Sequence, residues 1–159
     1  MLIVSQLREF IIKPALYDLC LNSEDAEELL VFTCAVESLG GTYIKQVDGS
    51  ALGIYQMMPK TYNDIWQNYI RNKPSLLLTL GSNFNAFSMP DEQRLMYDLR
   101  FATAMCRIHD ERVSEALPMH NDVVGIWNYY KKYYNSDAGA AKQNESIQKY
   151  LAFLMHLKS

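Results

Sequence analysis

A capped and wholly apolar helix is the strongest constraint on how this chain can fold. Ser23 can cap a helix, and the acidic residues that follow it suit the positive end of a helix dipole. From Leu29 to Val36 no residue is charged, so apolar side chains cover every side of the predicted helix. Such a helix has to be surrounded by other elements, and we predict that it lies in the centre of the domain. Gly40 and Gly41 predict its end.

The remaining pattern predicts further helices and one small β element. Apolar spacing and helix-start signals predict helices over about 3–19 with a kink at Pro14, 59–69, 90–113, 121–135 and 146–157, whereas 73–88 is mixed. Residues Thr42 to Val47 are typical of a short strand, with Asp48-Gly49 as its turn. We therefore predict one domain over residues 1–159, mostly α, with a small β hairpin.

Charge and hydropathy exclude several classes of protein. The net charge is −3, and the densest basic stretch is Lys131-Lys132, so we expect no nucleic-acid binding, which needs clustered Lys and Arg. No apolar stretch is long enough to cross a bilayer. Arg8 and Glu9 interrupt the apolar amino-terminal run, which does not fit a secretory signal peptide. We expect synthesis in the cytoplasm and delivery by some other route.

Cofactor and metal motifs do not stand out in the sequence. The three cysteines have no paired spacing, and we interpret them as free thiols, with Cys34 and Cys106 buried in apolar segments. The three histidines are scattered, and no His or Cys pair has metal-ligand spacing. No phosphate loop, nucleophile elbow or dinucleotide fingerprint occurs either. We expect no metal and no cofactor.

Glu37 is the residue whose position most suggests chemistry. It is the only carboxylate between Leu29 and Val47, and it ends the apolar helix. A carboxyl group in apolar surroundings must find hydrogen-bond donors or keep its proton, because burying an ion is costly. Desolvation raises its pKa, as a general acid working near neutral pH requires. The alternative is a glutamate that points into solvent from a helix end, and position alone leaves both interpretations open.

The segment Gly53-Ile-Tyr-Gln-Met-Met-Pro59, with Thr61 close behind, is the second candidate element. A glycine before polar residues allows the backbone to approach a ligand closely. Gln56 offers a donor and an acceptor to a sugar N-acetyl group or hydroxyl. The alternative is a turn that leads into a capped helix, with Met57 and Met58 in the core.

Together, Glu37-Ser38 and Ala51-Leu-Gly-Ile-Tyr-Gln-Met-Met-Pro-Lys-Thr61 resemble the signature of the lytic transglycosylase (soluble transglycosylase) domain family. In that family a Glu-Ser pair at a helix end is followed, at a similar distance, by Gly-Leu-Met-Gln-Leu-Met-Pro-x-Thr. Here Glu37 and Gln56 are 19 residues apart. The amino-acid sequence of the chain also resembles the sequences of small phage and prophage proteins. One departure is Gly-Ile-Tyr-Gln in place of Gly-Leu-Met-Gln, a change that a cleft wall should tolerate.

This resemblance implies a lysozyme-like α+β fold, with the β hairpin beside the active-site cleft. It implies cleavage of the β-1,4 bond between N-acetylmuramic acid and N-acetylglucosamine in peptidoglycan, with Glu37 protonating the glycosidic oxygen. Met57 would pack beneath the acid. The substrate-binding residues that it implies are Ser38, Gly53, Tyr55, Gln56 and Met57, together with one later tyrosine.

The later tyrosine is where the chain departs most from the family. The family has a Tyr-Asn-Ala-Gly motif in a later helix, and its tyrosine bonds the catalytic glutamate. This chain reads Trp127-Asn-Tyr-Tyr-Lys-Lys-Tyr-Tyr-Asn135 and then Gly139. We expect Tyr129 or Tyr134 to take this role and prefer Tyr129. The alternative is an aromatic stripe that packs in the core.

Asp48 is the candidate second acid. An inverting muramidase needs a base about 6.5–9.5 Å from its acid to activate water. A lytic transglycosylase needs none, because the 6-hydroxyl of the substrate closes an anhydro ring. We favour the interpretation of Asp48 as a turn former, and the sequence leaves hydrolysis and transglycosylation open.

Two alternatives to an enzyme also remain at this stage. One is a phage virion structural protein that keeps a lysozyme-like fold without activity, and the other is a cell-wall binding module. We expect the partners to be peptidoglycan glycan strands and other phage virion or tail proteins. The site of action would be the cell wall in the periplasm, reached after delivery by a phage particle or lysis system.

Overall fold

The computed structural model describes residues 1–136 and 139–156 and builds them mostly from helices. In chain order the elements are α1 (Val4–Leu7), a π-helical segment (Arg8–Ile12), α2 (Lys13–Asp18), α3 (Glu24–Ser38), α4 (Pro59–Asn68), a 3-10 turn (Ile70–Asn72), α5 (Pro74–Phe84), α6 (Arg94–Tyr97), α7 (Leu99–Glu111), α8 (Val123–Tyr130), a second π-helical segment (Lys131–Asn135) and α9 (Gln143–Met155). No helix within these two ranges has the length and apolar character needed to span a membrane.

Helix α3 is the central helix, as the sequence predicts. All residues from Leu29 to Val36 are buried, and α3 packs against α7, α8 and α9. Ser23 Oγ accepts a hydrogen bond from the Ala26 N–H at 3.0 Å, which satisfies one of the free amides at the helix start. Leu39 and Gly40 then adopt the left-handed conformation and end the helix.

Pro14 is accommodated by a change of helix type. The π-helical segment Arg8–Ile12 precedes it, and α2 continues the same helical run from Lys13. Proline has no N–H to donate to the carbonyl four residues earlier. That carbonyl belongs to Phe10, and it accepts a hydrogen bond from Arg100 Nε of α7 at 3.3 Å instead. The predicted irregularity is therefore present, as a π-helical segment.

The predicted β hairpin is not formed: no strand occurs in the described part of the chain, and two isolated antiparallel bridges stand in its place. Leu52 bridges Lys45 on one side and Met57 on the other. Asp48, Gly53 and Gln56 have left-handed backbone conformations, and the chain changes direction at each of them. The extended segments between these turns are therefore too short to form a second bridge beside the first. Residues 44–57 therefore form a bridged loop.

Two other predicted helices need correction. The helix expected over 90–113 is divided at Asp98, whose side chain accepts from the Phe101 N–H at 3.0 Å and caps α7. The stretch that looked mixed contains α5, which begins with Pro74 in its first turn and ends at Asn85 in the left-handed conformation. In both cases a local cap decides the boundary.

The remaining boundaries agree more closely with the sequence. Pro59 starts α4, and Asp122 caps the helix that was expected from Asn121 onwards. The last helix begins at Gln143, earlier than the predicted Ser146, and its predicted last residue, Leu157, lies outside the described residues.

Gly53 fixes how closely the bridged loop approaches α6. Its φ is +78°, and a Cβ built there would lie 2.3 Å from the backbone oxygen of Leu95. A side chain at this position would therefore meet backbone, which cannot rotate away. The close approach explains why a glycine is needed here.

We expect Gly53→Ala to lower the free energy of unfolding by roughly 2 kcal/mol or more, because it adds a positive-φ penalty to a backbone clash. Gly49→Ala is the matched control in the same loop. The three heavy atoms nearest to its added Cβ all belong to the flexible Gln46 side chain, and its φ is not positive, so we expect a loss below about 1 kcal/mol. Chemical denaturation of both variants measures this. Equal losses would contradict the assigned close approach.

Candidate functional site

A cleft of about 400 Å³ opens beside the carboxyl end of α3. Its walls come from that helix end, the bridged loop, the start of α4, α7 and the second π-helical segment. The side chains that line it include Glu37, Gln46, Gln56, Met57, His109, Tyr134 and Asn135. A larger and more open hollow of about 640 Å³ lies beside α2 and the start of α3, but none of the predicted site residues lines it.

Glu37 lies in this cleft with its carboxyl group mostly buried. The Tyr130 hydroxyl donates a hydrogen bond to Glu37 Oε1 at 2.6 Å. Burial raises the Glu37 pKa from 4.5 to about 7, although the Tyr130 hydrogen bond and the positive charge of Lys149 both lower it. Desolvation is therefore the largest effect, and the carboxyl group exchanges its proton near neutral pH.

The tyrosine that bonds Glu37 is Tyr130, so the predictions of Tyr129 and Tyr134 are wrong for this contact. Tyr129 donates to the backbone carbonyl of Asp110 at 3.3 Å, and Tyr134 donates to that of Tyr55 at 2.6 Å. Successive helical residues differ by about 100° in direction, so neighbouring tyrosines face different elements. The sequence spacing could have indicated Tyr130, which lies three residues after Trp127 and four before Tyr134. This spacing places the three rings on the same face of the helix.

Ser38 does not line the cleft, contrary to its expected role as a substrate-binding residue. Its side chain is fully buried. The hydroxyl lies 2.6 Å from the Ile54 carbonyl and 3.1 Å from the Cys34 carbonyl, and it accepts from the Gly41 N–H at 2.9 Å. All these partners are internal, so Ser38 joins the end of α3 to the bridged loop and helps to position Glu37.

The bridged loop contributes two of its predicted residues to the cleft wall. Gln56 lines the cleft with a left-handed backbone, φ 48°, and its Nε2 donates to the Gly53 carbonyl at 2.8 Å. A non-glycine residue in this conformation stores strain, and such residues often lie at functional sites. Met57 is mostly buried and also lines the cleft.

Tyr55 and Gly53 support the bridged loop from the interior and do not line the cleft. The Tyr55 side chain is buried, and its hydroxyl lies 2.8 Å from the Thr103 hydroxyl of α7. Its backbone carbonyl accepts from Tyr134. Neither Tyr55 nor Gly53 is a lining residue, so the structure gives both a positioning role where the sequence predicted substrate contact.

Asp48 lies in the exposed turn of the bridged loop, with φ 55°, and it does not line the cleft. This placement fits the turn-former interpretation, since aspartate tolerates the left-handed conformation better than most residues. Among the described residues that line the cleft, Glu37 is the only one with a carboxylate.

His109 is a lining residue that the sequence did not assign to the site. It belongs to α7, its imidazole is mostly buried, and the centroid of its ring is 4.9 Å from that of the Tyr134 ring. Burial, followed by the nearby positive charge of Arg112, lowers the His109 pKa to about 4. The histidine is therefore neutral at the pH where Glu37 titrates. The sequence could not predict the place of His109 in the cleft, because His109 is far from the other site residues along the chain. Only the folding of the chain brings α7 to the cleft.

Metal chemistry gains no support from the geometry. Within residues 1–136 and 139–156, no group of three or more His, Cys, Asp or Glu side chains is arranged to hold a metal ion.

Comparison of the chain with protein-family models, curated proteins and solved structures found no match.

The Tyr130–Glu37 hydrogen bond can be tested by a double-mutant cycle near pH 8, where Glu37 is ionised. We expect Tyr130→Phe and Glu37→Gln to show a coupling energy of roughly 1 kcal/mol or more, because a hydrogen bond to a charged acceptor is stronger than one to an amide. Tyr129→Phe is the matched control and should show no coupling with Glu37→Gln. Coupling to Tyr129, or none to Tyr130, would contradict the assignment.

Proposed function

We propose that this protein cleaves the β-1,4 bond between N-acetylmuramic acid and N-acetylglucosamine in peptidoglycan, with Glu37 as general acid and base. The observation that carries the proposal is a mostly buried carboxyl group in a cleft, with a pKa raised to about 7 and a tyrosine hydroxyl at 2.6 Å. A perturbed carboxyl in a cleft is the usual mark of an acid–base residue. The likeness to the lytic transglycosylase signature supports the choice of substrate.

The chemistry requires one group that gives and then takes a proton. The protonated Glu37 carboxyl donates to the glycosidic oxygen, and the bond from that oxygen to the muramic acid C1 breaks. The resulting carboxylate then accepts the proton of the muramic acid 6-hydroxyl as its oxygen attacks C1, which yields a 1,6-anhydro sugar. Attack by water instead would yield a reducing end. A pKa near 7 suits both half-reactions, because neither protonation state is strongly favoured.

We further propose that the helical domain is of the lysozyme-like kind and that the protein is a phage or prophage muralytic protein. The support is the same combination of features: an apolar central helix that ends in Glu37 and a loop with the family-like sequence beside it. Such a protein would act on the cell wall after delivery by a phage particle or lysis system. An inactive virion scaffold would keep the fold without the activity.

The first experiment is digestion of purified peptidoglycan by wild-type protein and by Glu37→Gln, followed by mass spectrometry of the released fragments. We expect anhydro-muropeptides from the wild type and loss of at least about 1,000-fold in rate with Glu37→Gln, because the amide cannot transfer a proton. Both proteins should unfold cooperatively, which excludes misfolding as the cause.

Asp48→Asn completes this experiment. We expect its rate and its products to equal those of the wild type, because Asp48 lies outside the cleft. Reducing ends together with loss of activity in Asp48→Asn would favour a muramidase that uses a second acid. Absence of any product from folded wild-type protein would favour the inactive scaffold.

The pH dependence provides a separate prediction. Because the Glu37 pKa is raised to about 7, its acid form persists to neutral pH and is lost as the pH rises further. We expect kcat/KM on soluble glycan fragments to fall above about pH 7. Tyr130→Phe should move this fall to higher pH, since the Tyr130 hydrogen bond lowers the Glu37 pKa. A fall that begins near the ordinary carboxyl pKa of 4.5 would contradict the assigned environment.

A further inference from the structure

His109 holds a fixed position relative to the proposed acid. Its ring is 4.9 Å from that of Tyr134, and the Tyr134 ring stacks on Tyr130 with centroids 6.0 Å apart and planes 23° apart. Tyr130 in turn donates to Glu37. Glu37, His109 and Tyr134 all line the same cleft, so a glycan bound against Glu37 can also contact the exposed part of the His109 ring.

The surroundings of the His109 ring determine which nitrogen carries the proton. Nδ1 is buried and has no hydrogen-bond partner among the described residues. The Asp110 Oδ1 atom is 4.0 Å away, which is too far for a hydrogen bond. A buried N–H without an acceptor costs more than a buried lone pair without a donor. This comparison favours the tautomer of the neutral ring that has its proton on Nε2 and its lone pair on the buried Nδ1.

We propose that the Nε2–H of His109 donates a hydrogen bond to the acetamido carbonyl oxygen of a sugar bound in the cleft, and that His109 is thereby a specificity-determining residue. This inference rests on the proposed function. A neutral donor suits an uncharged oxygen, and the amide carbonyl is the strongest such acceptor on an N-acetylated sugar. Three of the other polar side chains that line the cleft, Gln46, Gln56 and Asn135, are also neutral hydrogen-bonding groups, which fits the same kind of ligand.

The same tautomer assigns His109 to binding and not to proton transfer. A general base for water attack needs a lone pair that faces the cleft, whereas this tautomer places the His109 lone pair on the buried nitrogen. His109 should therefore contribute to the affinity for glycan and leave the pH dependence of the chemical step to Glu37. These two expectations separate a binding residue from a second catalytic group.

Nitrogen NMR on Glu37→Gln protein, with tetra-N-acetylchitotetraose as the probe, tests the tautomer and the contact together. We expect the His109 ring to be neutral near pH 7 with its proton on Nε2, and the Nε2–H signal to shift when the tetrasaccharide binds. A proton on Nδ1, or a ring signal that does not move although the tetrasaccharide binds, would overturn the inference. Failure of the tetrasaccharide to bind would overturn it as well.

Kinetics of two substitutions provide the matched comparison. We expect His109→Leu to raise the KM for soluble glycan fragments roughly tenfold, with kcat and the alkaline pH limb nearly unchanged, because one hydrogen bond is lost. His109→Gln should recover most of the affinity, since its amide N–H occupies the place of Nε2. His120→Leu, which alters an exposed histidine bound to Asp25, should leave KM unchanged.

The outcomes distinguish this inference from the function that it rests on. Cleavage by the wild type with an unchanged KM in His109→Leu would overturn the role of His109 and leave the proposed function standing. A fall in kcat with a changed pH profile would make His109 a catalytic group and also overturn the inference. No cleavage by folded wild-type protein would overturn both proposals.

Discussion

Burial of the Glu37 carboxyl group at the end of α3 is the constraint on which the other features of the site depend. An apolar helix can deliver an acid to the edge of the core only if other helices cover its sides, and α7, α8 and α9 do so. The acid then loses much of its hydration, which raises its pKa, while a single short hydrogen bond from Tyr130 orients it. The position of α8 is thus linked to the chemistry, because a rotation of that helix would remove the donor.

The bridged loop is held against the same acid from two directions. Ser38 follows Glu37 in the chain and donates a hydrogen bond to the Ile54 carbonyl. Tyr134, whose ring stacks on that of Tyr130, donates one to the Tyr55 carbonyl. Two consecutive carbonyls of the loop are therefore tied to the elements that position the acid. This arrangement compensates for the strained backbone at Gln56 and builds one wall of the cleft before any ligand arrives. Among the predicted site residues of the sequence signature, Glu37, Gln56 and Met57 line the cleft, whereas Ser38, Gly53 and Tyr55 support it from behind.

The parts of the fold that local chemistry determines could be predicted from the sequence. Ser23 and Asp122 cap their helices, Pro59 starts one, and the apolar run before Glu37 is buried, as expected. The absence of the β hairpin could not be predicted from local chemistry. Strand pairing in residues 44–57 is limited by left-handed turns, which the strand-like pattern of the sequence does not reveal. The choice between Tyr129 and Tyr130 depends on the rotation of α8 about its axis. The place of His109 in the cleft depends on how α7 packs, which a motif does not encode.

The central claim is that the Glu37 carboxyl group exchanges its proton near neutral pH because it is buried. Its titration can be followed directly by carbon NMR of wild-type protein labelled at glutamate side chains, with Glu37→Gln used to assign the signal. The account predicts that this one glutamate titrates at about pH 7. A midpoint near 4.5, the ordinary value of a glutamate in water, would show that the carboxyl group is hydrated and would contradict the account.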